Sequence, residues 1–225
     1  MKYEIIGGNL PAAICSLRAG EGVFCESGAM SWMDPGIEMK TEGGGLGKMM
    51  GRVFSGESLF RNHYVAKRDG EIAFASKFPG TIVPVELGGG SIIAQKGSFL
   101  ACDEGVEMSV FFQKKVAGGF FGGEGFIMQK FEGDGTVLIE VDGSVHEYEL
   151  GPGEQKIIDT GYLVMMDDTC SLDVVMIKGA KNILFGGEGL FNTVITGPGR
   201  VVIQTMPIIK TAQLLAALMN PGKSS

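Results

Sequence analysis

Histidine is nearly absent from this chain, with only His63 and His146 among 225 residues. Serine and cysteine nucleophiles generally draw on a histidine base, and cupin-like metal sites use several histidines with a carboxylate. Neither chemistry finds its residues here. His146 alternates with Tyr148 and Leu150, which predicts an inward-facing position on a strand, and His63 opens a different strand. Both read as structural, and no catalytic residue, metal or cofactor is expected. Cysteine is also scarce: Cys15, Cys25, Cys102 and Cys170 form no C-x-x-C pair and have no histidine at zinc spacing. They read as small buried hydrophobes.

Basic residues are outnumbered, with 19 Lys and Arg against 26 Asp and Glu, a net charge of −7 and a pI near 4.9. Phosphate-tracking surfaces use clustered Lys and Arg, so a nucleic-acid partner is not expected. Long apolar runs are missing as well. The run from Thr211 to Gly222 falls short of the roughly 20 residues that a membrane-spanning helix needs. The segment Met1 to Gly8 shows neither an apolar signal-peptide core nor an Arg-rich transit pattern, and unpaired thiols fit a reducing compartment. A cytoplasmic location is the expectation.

Glycine, by contrast, is abundant, at 37 residues, while proline stays at 8. The usual glycine share is about 7%, and without a collagen period or excess proline the surplus implies many tight turns. A chain of this length buries roughly 70% of its unfolded surface, enough for a core without covalent staples. The glycines build no phosphate-binding loop pattern. Around Gly47-Lys48 the P-loop positions hold Glu42 and Met49, and no G-x-G-x-x-G lies between a strand and a helix.

The glycines instead punctuate a repeat. Phe54-Ser55-Gly56-Glu57-Ser58-Leu59-Phe60, Phe121-Gly122-Gly123-Glu124-Gly125-Phe126-Ile127 and Phe185-Gly186-Gly187-Glu188-Gly189-Leu190-Phe191 share one kernel, whose Glu recurs after 67 and then 64 residues. Two nearly equal spacings mark internal repetition. Other landmarks recur in step: Gly28, Gly97 and Gly161, then Asp34, Asp103 and Asp167. Short segments rich in Val, Ile, Phe and Tyr, bounded by Gly or Asp-Gly, predict strands joined by tight turns. Hairpins are expected at Asp69-Gly70, Gly133-Asp134-Gly135, Asp142-Gly143 and Gly197-Pro198-Gly199.

The strand following each repeat-end hairpin has four versions, Lys2–Ile6, Glu71–Ala75, Thr136–Val141 and Arg200–Met206. Three units need only three. The first and last copies are therefore expected near each other in a closed, pseudo-threefold arrangement, one completing or flanking a sheet. The units are residues 1–69, 70–134 and 135–206, followed by a C-terminal segment, 207–225. In that segment Ile208, Thr211, Leu214, Leu215 and Leu218 fall on one helical face, and Asn220-Pro221-Gly222 ends it. A short amphipathic helix is predicted, packed on this chain or on a neighbour.

Two sets of carboxylates repeat with the units: Glu57, Glu124 and Glu188, and Asp34, Asp103 and Asp167. Converging on an axis, three like charges would need a cation or shared protons. Diverging, they cap turns and accept backbone N–H groups, which is the expected arrangement. Phe120 and Phe121 lie in a Gly-rich loop, and an apolar pair there suits a core position or a contact surface for another subunit, a membrane or a partner.

Gly186-Gly187-Glu188-Gly189-Leu190-Phe191, followed by the stretch from Thr196-Gly197-Pro198-Gly199-Arg200 to Met206-Pro207, resembles the bacterial and archaeal relatives of the altered-inheritance-of-mitochondria protein family. The eukaryotic member of that family is linked to mitochondrial biogenesis and inner-membrane organisation. The resemblance spans nearly the whole chain and implies a short double-stranded β-helix like that of the tryptophan RNA-binding attenuation protein, triplicated in one chain. It transfers no catalytic residue, tryptophan site or RNA site. The attenuation protein builds its ring from separate subunits, so the analogy points to assembly. The expected protein is all-β, three such units around a pseudo-threefold axis with a short C-terminal helix. Its expected function is a non-enzymatic, self-associating scaffold that binds protein partners or a membrane face through the loops at 43–51 and 116–123 and the helix. The alternative is a small-ligand or cation-binding module, with or without enzymatic activity, built on the repeated carboxylates.

Overall fold

The computed structural model describes residues 1–40, 61–114, 125–176 and 191–219. The first six strands are β1 (Lys2–Ile6), β2 (Ala12–Leu17), β3 (Gly22–Glu26), β4 (Met30–Met33), β5 (Ile37–Lys40) and β6 (Arg61–Ala66). The next six are β7 (Gly70–Ala75), β8 (Gly80–Glu86), β9 (Ser91–Gln95), β10 (Phe99–Asp103), β11 (Val106–Lys114) and β12 (Phe126–Gly133). A third six follow as β13 (Thr136–Asp142), β14 (Val145–Leu150), β15 (Gln155–Asp159), β16 (Leu163–Asp167), β17 (Ser171–Met176) and β18 (Phe191–Thr196). β19 (Gly199–Gln204) and a helix, α1 (Ile208–Met219), end the described chain. The protein is thus all-β with one short C-terminal helix. The four versions of the repeated strand are β1, β7, β13 and β19.

Among the described residues four antiparallel sheets form, ordered β1-β2-β7-β4, β5-β6-β3-β10-β13-β8, β11-β12-β9-β16-β19-β14 and β15-β18-β17. The turns expected as hairpins at Asp69-Gly70, Gly133-Asp134-Gly135, Asp142-Gly143 and Gly197-Pro198-Gly199 are instead corners, each carrying the chain from one sheet to another, because the strands on either side pair elsewhere. One pairing rule generates them. Adding six to each strand number of the second sheet reproduces the third, strand for strand. In the first sheet β2-β7-β4 corresponds to β8-β13-β10, and in the fourth β15-β18-β17 corresponds to β3-β6-β5. Register irregularities recur as well, between Met30 and Trp32, Phe99 and Ala101, and Leu163 and Met165. A bulge bends its strand and is retained where a local twist is needed.

The expected closure of first copy on last is not made by strand ladders. β19 fills the slot between β16 and β14, so β1 is left to flank β2 at the far edge of the first sheet. Among the described residues no ladder joins the first sheet to the fourth.

Among the described residues three apolar clusters make the core, each shared between neighbouring sets of strands. The first centres on Ile72 and Phe74, the second on Phe99 and Phe131, the third on Phe126, Met128 and Leu163. Burying each such side chain stabilises the fold by about 1.5–3 kcal/mol. β13 is buried at all seven positions because it has core on both sides. Leu138 belongs to the first cluster, while Val137, Ile139 and Val141 belong to the second. Strand side chains alternate, so Glu140 and Asp142 share the side of Leu138 and are drawn into the interior with it.

Candidate functional site

The repeated aspartates do not converge. Asp34 Oδ2 accepts the Glu71 N–H at 3.0 Å, Asp103 Oδ2 the Thr136 N–H at 2.8 Å, and Asp167 Oδ2 the Arg200 N–H at 2.8 Å. Each carboxylate thereby satisfies a donor at the start of the strand that opens the next unit. Glycine makes room for it. A Cβ at Gly135, whose φ is +139°, would stand 2.6 Å from the Asp103 Cβ, and one at Gly70 3.2 Å from that of Asp34. These aspartates are structural. Glu57, Glu124, Glu188, Phe120, Phe121 and the loops at 43–51 and 116–123 lie outside the described residues.

The other histidine and thiol expectations resolve differently. His63 Nε2 lies 2.6 Å from Glu104 Oε1, and the ring stacks on Phe24 at 4.4 Å. His146 is exposed rather than inward, at the edge of its sheet, where among the described residues β14 pairs only with β19 and the ring meets Tyr148 edge-on at 4.7 Å. The two histidines sit in different sheets. All four cysteines are free and buried, and burial pushes the thiols of Cys15, Cys25 and Cys102 up to about 12. They are not poised as nucleophiles.

A feature that repeat spacing did not flag lies at the end of β13. Counting from Thr136 and Arg200, which hold the same place against their aspartates, Glu140 and Gln204 are counterparts. Gln204 is satisfied at both ends: Oε1 accepts the Asp142 N–H at 2.9 Å, and Nε2 donates to the Gly161 carbonyl at 2.9 Å. Glu140 Oε1 accepts the Lys77 N–H at 2.9 Å, but Oε2 is buried with no hydrogen-bond partner among the described residues. Only 4% of Glu140 is exposed. Burial pushes its carboxyl above the ordinary value, against the pull of the Lys77 N–H and ammonium, while Asp142 adds to the rise.

Glu140 opens on a cavity of about 260 Å³ whose wall includes Glu26, Gln95, Asp142, Gln204, Ile127 and Pro207–Ile209. Its roof is the start of α1. Asp142 Oδ2 accepts the Ile208 N–H at 2.7 Å, satisfying one of the helix's free donors, and Lys210 Nζ reaches Asp159 Oδ2 at 2.5 Å. Burial also raises the Asp142 carboxyl above its usual range, opposed by that N–H and by Lys77. Lys77 Nζ pairs with Glu26 Oε2 at the cavity wall. The signal for this site was a Glu and an Asp inside the apolar run Thr136–Asp142.

Past these two tethers α1 turns its apolar face outward. Leu214, Leu215, Leu218 and Met219 are 53% to 80% exposed, so the predicted face is not covered by the described residues. Among the described residues β4 and β15 also lack the neighbour that the pairing rule gives their counterparts β10 and β16, and β3 and β9. β4 pairs with β7 on one side only and β15 with β18 on one side only, and Trp32, Met33 and Ile157 beside those edges are exposed. Among the described residues no group of three or more His, Cys, Asp or Glu could hold a metal ion, and no helix is long and apolar enough to cross a membrane.

Known proteins match nearly the whole molecule. An uncharacterized protein of Streptococcus pyogenes serotype M6 is 31% identical over 215 residues, which is 91% of this chain and 85% of the relative. A crystal structure of a Streptococcus pyogenes protein superposes with a TM-score of 0.82 at 27% identity, covering 96% of this chain and 99% of the other. The model of the mitochondrial biogenesis AIM24 family matches residues 3–206, and this all-β chain, with its aspartate-capped repeat turns, belongs to that family.

Proposed function

We propose that the protein is a non-enzymatic assembly module that joins copies of itself head to tail, β15 of one copy adding to β4 of the next. One observation carries this reading. Inside the chain β3 pairs with β10 and β9 with β16, and the same rule would pair β15 with β4, the two strands that lack this partner among the described residues. Unpaired edges carry free N–H and C=O groups and readily accept another strand.

The interior ladders supply a register. Ala101 faces Cys25 and Cys102 faces Phe24, while Met165 faces Ala94 and Met166 faces Ile93. The counterparts across two copies are Trp32 with Ile158, Met33 with Ile157, and Asp34 with Lys156. The second pair buries two exposed apolar side chains and the third joins opposite charges. A head-to-tail contact closes into a ring or runs on as a filament, according to the rotation between copies. The outward leucines of α1 offer the assembly a face for a protein partner or a membrane surface, in a cytoplasmic setting. The open edges go in the same direction as the ring-building attenuation protein whose fold the sequence resembles.

Native mass spectrometry tests the reading. A defined oligomer that Ile157→Asp dissociates, with the far-ultraviolet circular dichroism of the subunit retained, is expected. A wild-type monomer at micromolar concentration would overturn it.

A further inference from the structure

We infer that the cavity beneath α1 is a binding site for a small aliphatic primary amine, held as its ammonium ion by Glu140. This goes beyond assembly and stands on different residues. Gln204 shows that the fold has an all-protein solution at this place, since its amide donates to Gly161 and leaves nothing unpaired. Position 140 holds a carboxyl instead, 4% exposed, with Oε2 lacking any donor among the described residues. A buried carboxylate needs a proton or a donor, and an isolated charge there is costly.

The surroundings select the donor. The Asp142 carboxylate engages the Ile208 N–H through Oδ2, and Glu26 engages Lys77 Nζ. Three carboxylates thus stand against Lys77 and the Lys96 that also lines the wall, which favours a cation. A volume of about 260 Å³ exceeds what a bare metal ion fills, and no metal-binding cluster is found among the described residues. Ile127, Pro207 and Ile208 present an apolar surface suited to an alkyl stem. Small-molecule sites commonly pair such walls with one or two polar anchors.

The test is isothermal titration of the full chain with n-butylammonium at pH 7.5, beside tetramethylammonium, which has no N–H, and n-butanol, which has no charge. Saturable butylammonium binding at least tenfold tighter than either control is expected. Glu140→Gln, which copies the native Gln204, is expected to leave the protein folded with a thermal midpoint no lower than wild type and to weaken binding at least tenfold. Ile127→Phe, which narrows the cavity and leaves the carboxylate in place, is expected to weaken it as well. Binding should also fall as pH is lowered and a proton takes the ligand's place. No saturable binding to wild type, or equal binding by Glu140→Gln, would overturn the assignment. An infrared carboxyl band at pH 7.5 that Glu140→Gln removes would overturn it too, because it would show that the residue supplies its own proton.

Discussion

Glu140 and Gln204 hold the same place in successive units, and each accepts the backbone N–H of a residue at the end of the preceding version of the repeated strand. Lys77 donates to Glu140 and Asp142 to Gln204, both at 2.9 Å. The two side chains have nearly the same shape and differ in one atom, the amide nitrogen that bonds Gly161 in one case and the unpartnered Oε2 in the other.

That difference predicts a pH dependence in ligand-free protein. Burial raises the Glu140 carboxyl in the folded state above its unfolded value. A raised acid contributes stability that is fully present below the unfolded value, about 4.3, and lost as pH rises through the folded one. Glu140→Gln removes this loss and replaces the unpartnered oxygen with an N–H donor, so it should stabilise the protein by about 1–3 kcal/mol at pH 8 and by less at pH 4.5. Urea midpoints measured at the two pH values check it, and a gain independent of pH would argue against an ionisable origin.

The aspartates that cap the repeat turns predict a graded series. Asp103 accepts the Thr136 N–H at 2.8 Å and also meets the Met1 ammonium at 2.5 Å, so Asp103→Ala removes two bonds to a half-buried carboxylate. A cost of about 2–4 kcal/mol in urea denaturation is expected, with Asp34→Ala and Asp167→Ala each at about 1–2 kcal/mol. Asp103→Asn keeps an acceptor oxygen and should recover roughly half of the loss. If all three alanine variants matched the wild type, the shared cap would have no energetic role.

The same turn makes Gly135 intolerant. Its φ of +139° and the 2.6 Å approach to Asp103 leave no place for a methyl group. Gly135→Ala should destabilise by more than about 1 kcal/mol. Gly153, also at positive φ but with open space around it, isolates the backbone contribution: Gly153→Ala should cost less than Gly135→Ala in the same thermal unfolding series.

Much of this was legible before any coordinates, and the reasons are local. Asp-Gly and Gly-Pro-Gly between β-branched runs mark tight turns, and the strand copies β7, β13 and β19 begin within a residue of where these turns placed them. That the turns are corners between sheets and not hairpins was not legible, because the strands they join take their partners from elsewhere in the chain. The role of Asp34, Asp103 and Asp167 followed from their step beside glycine. Glu140 did not stand out, because its meaning lies in being unlike its counterpart, and register alone shows which residues are counterparts. His146 misled because alternation gives the face of a strand but not whether that face is covered. The apolar stripe of α1 was readable, whereas what it faces is set by Asp142 and Asp159, distant in sequence and joined to it only in the fold.

Those two tethers predict how α1 comes loose. Asp142→Ala removes the acceptor for the Ile208 N–H, and losses of this kind at a helix start cost about 0.5–2 kcal/mol. Hydrogen exchange should rise across residues 208–219 and leave β13 protected, since Val137, Ile139 and Val141 remain packed. Adding Lys210→Ala removes the contact with Asp159 and should speed tryptic or chymotryptic release of the helix further. Uniform deprotection of the whole chain would mean instead that α1 and the sheets unfold as one unit.

The edge-to-edge reading makes the sharpest structural prediction, because the interior ladders dictate which residues meet. Met33 and Ile157 occupy the places of Cys102 with Phe24 and of Met166 with Ile93, and directly opposed strand residues lie about 4.5–5.5 Å apart. A chain carrying both Met33→Cys and Ile157→Cys should form a disulfide-linked ladder on mild oxidation, since each copy presents one half of the pair at each edge. The native thiols should not interfere, being buried with Cys15, Cys25 and Cys102 pushed up to about 12. Either cysteine alone should give at most a trace of dimer. Moving the second cysteine to Gln155, two residues along the same strand, should abolish the ladder if the register is inherited from the repeat. In charge form, Met33→Glu or Ile157→Lys alone should dissociate the oligomer, whereas the two together, opposed across the seam, should restore it. Restoration without a change in the subunit's own unfolding midpoint would separate a contact between copies from one within the chain. If the double variant stays monomeric while wild type assembles, the copies are joined elsewhere, and the outward leucines of α1 become the surface to change next.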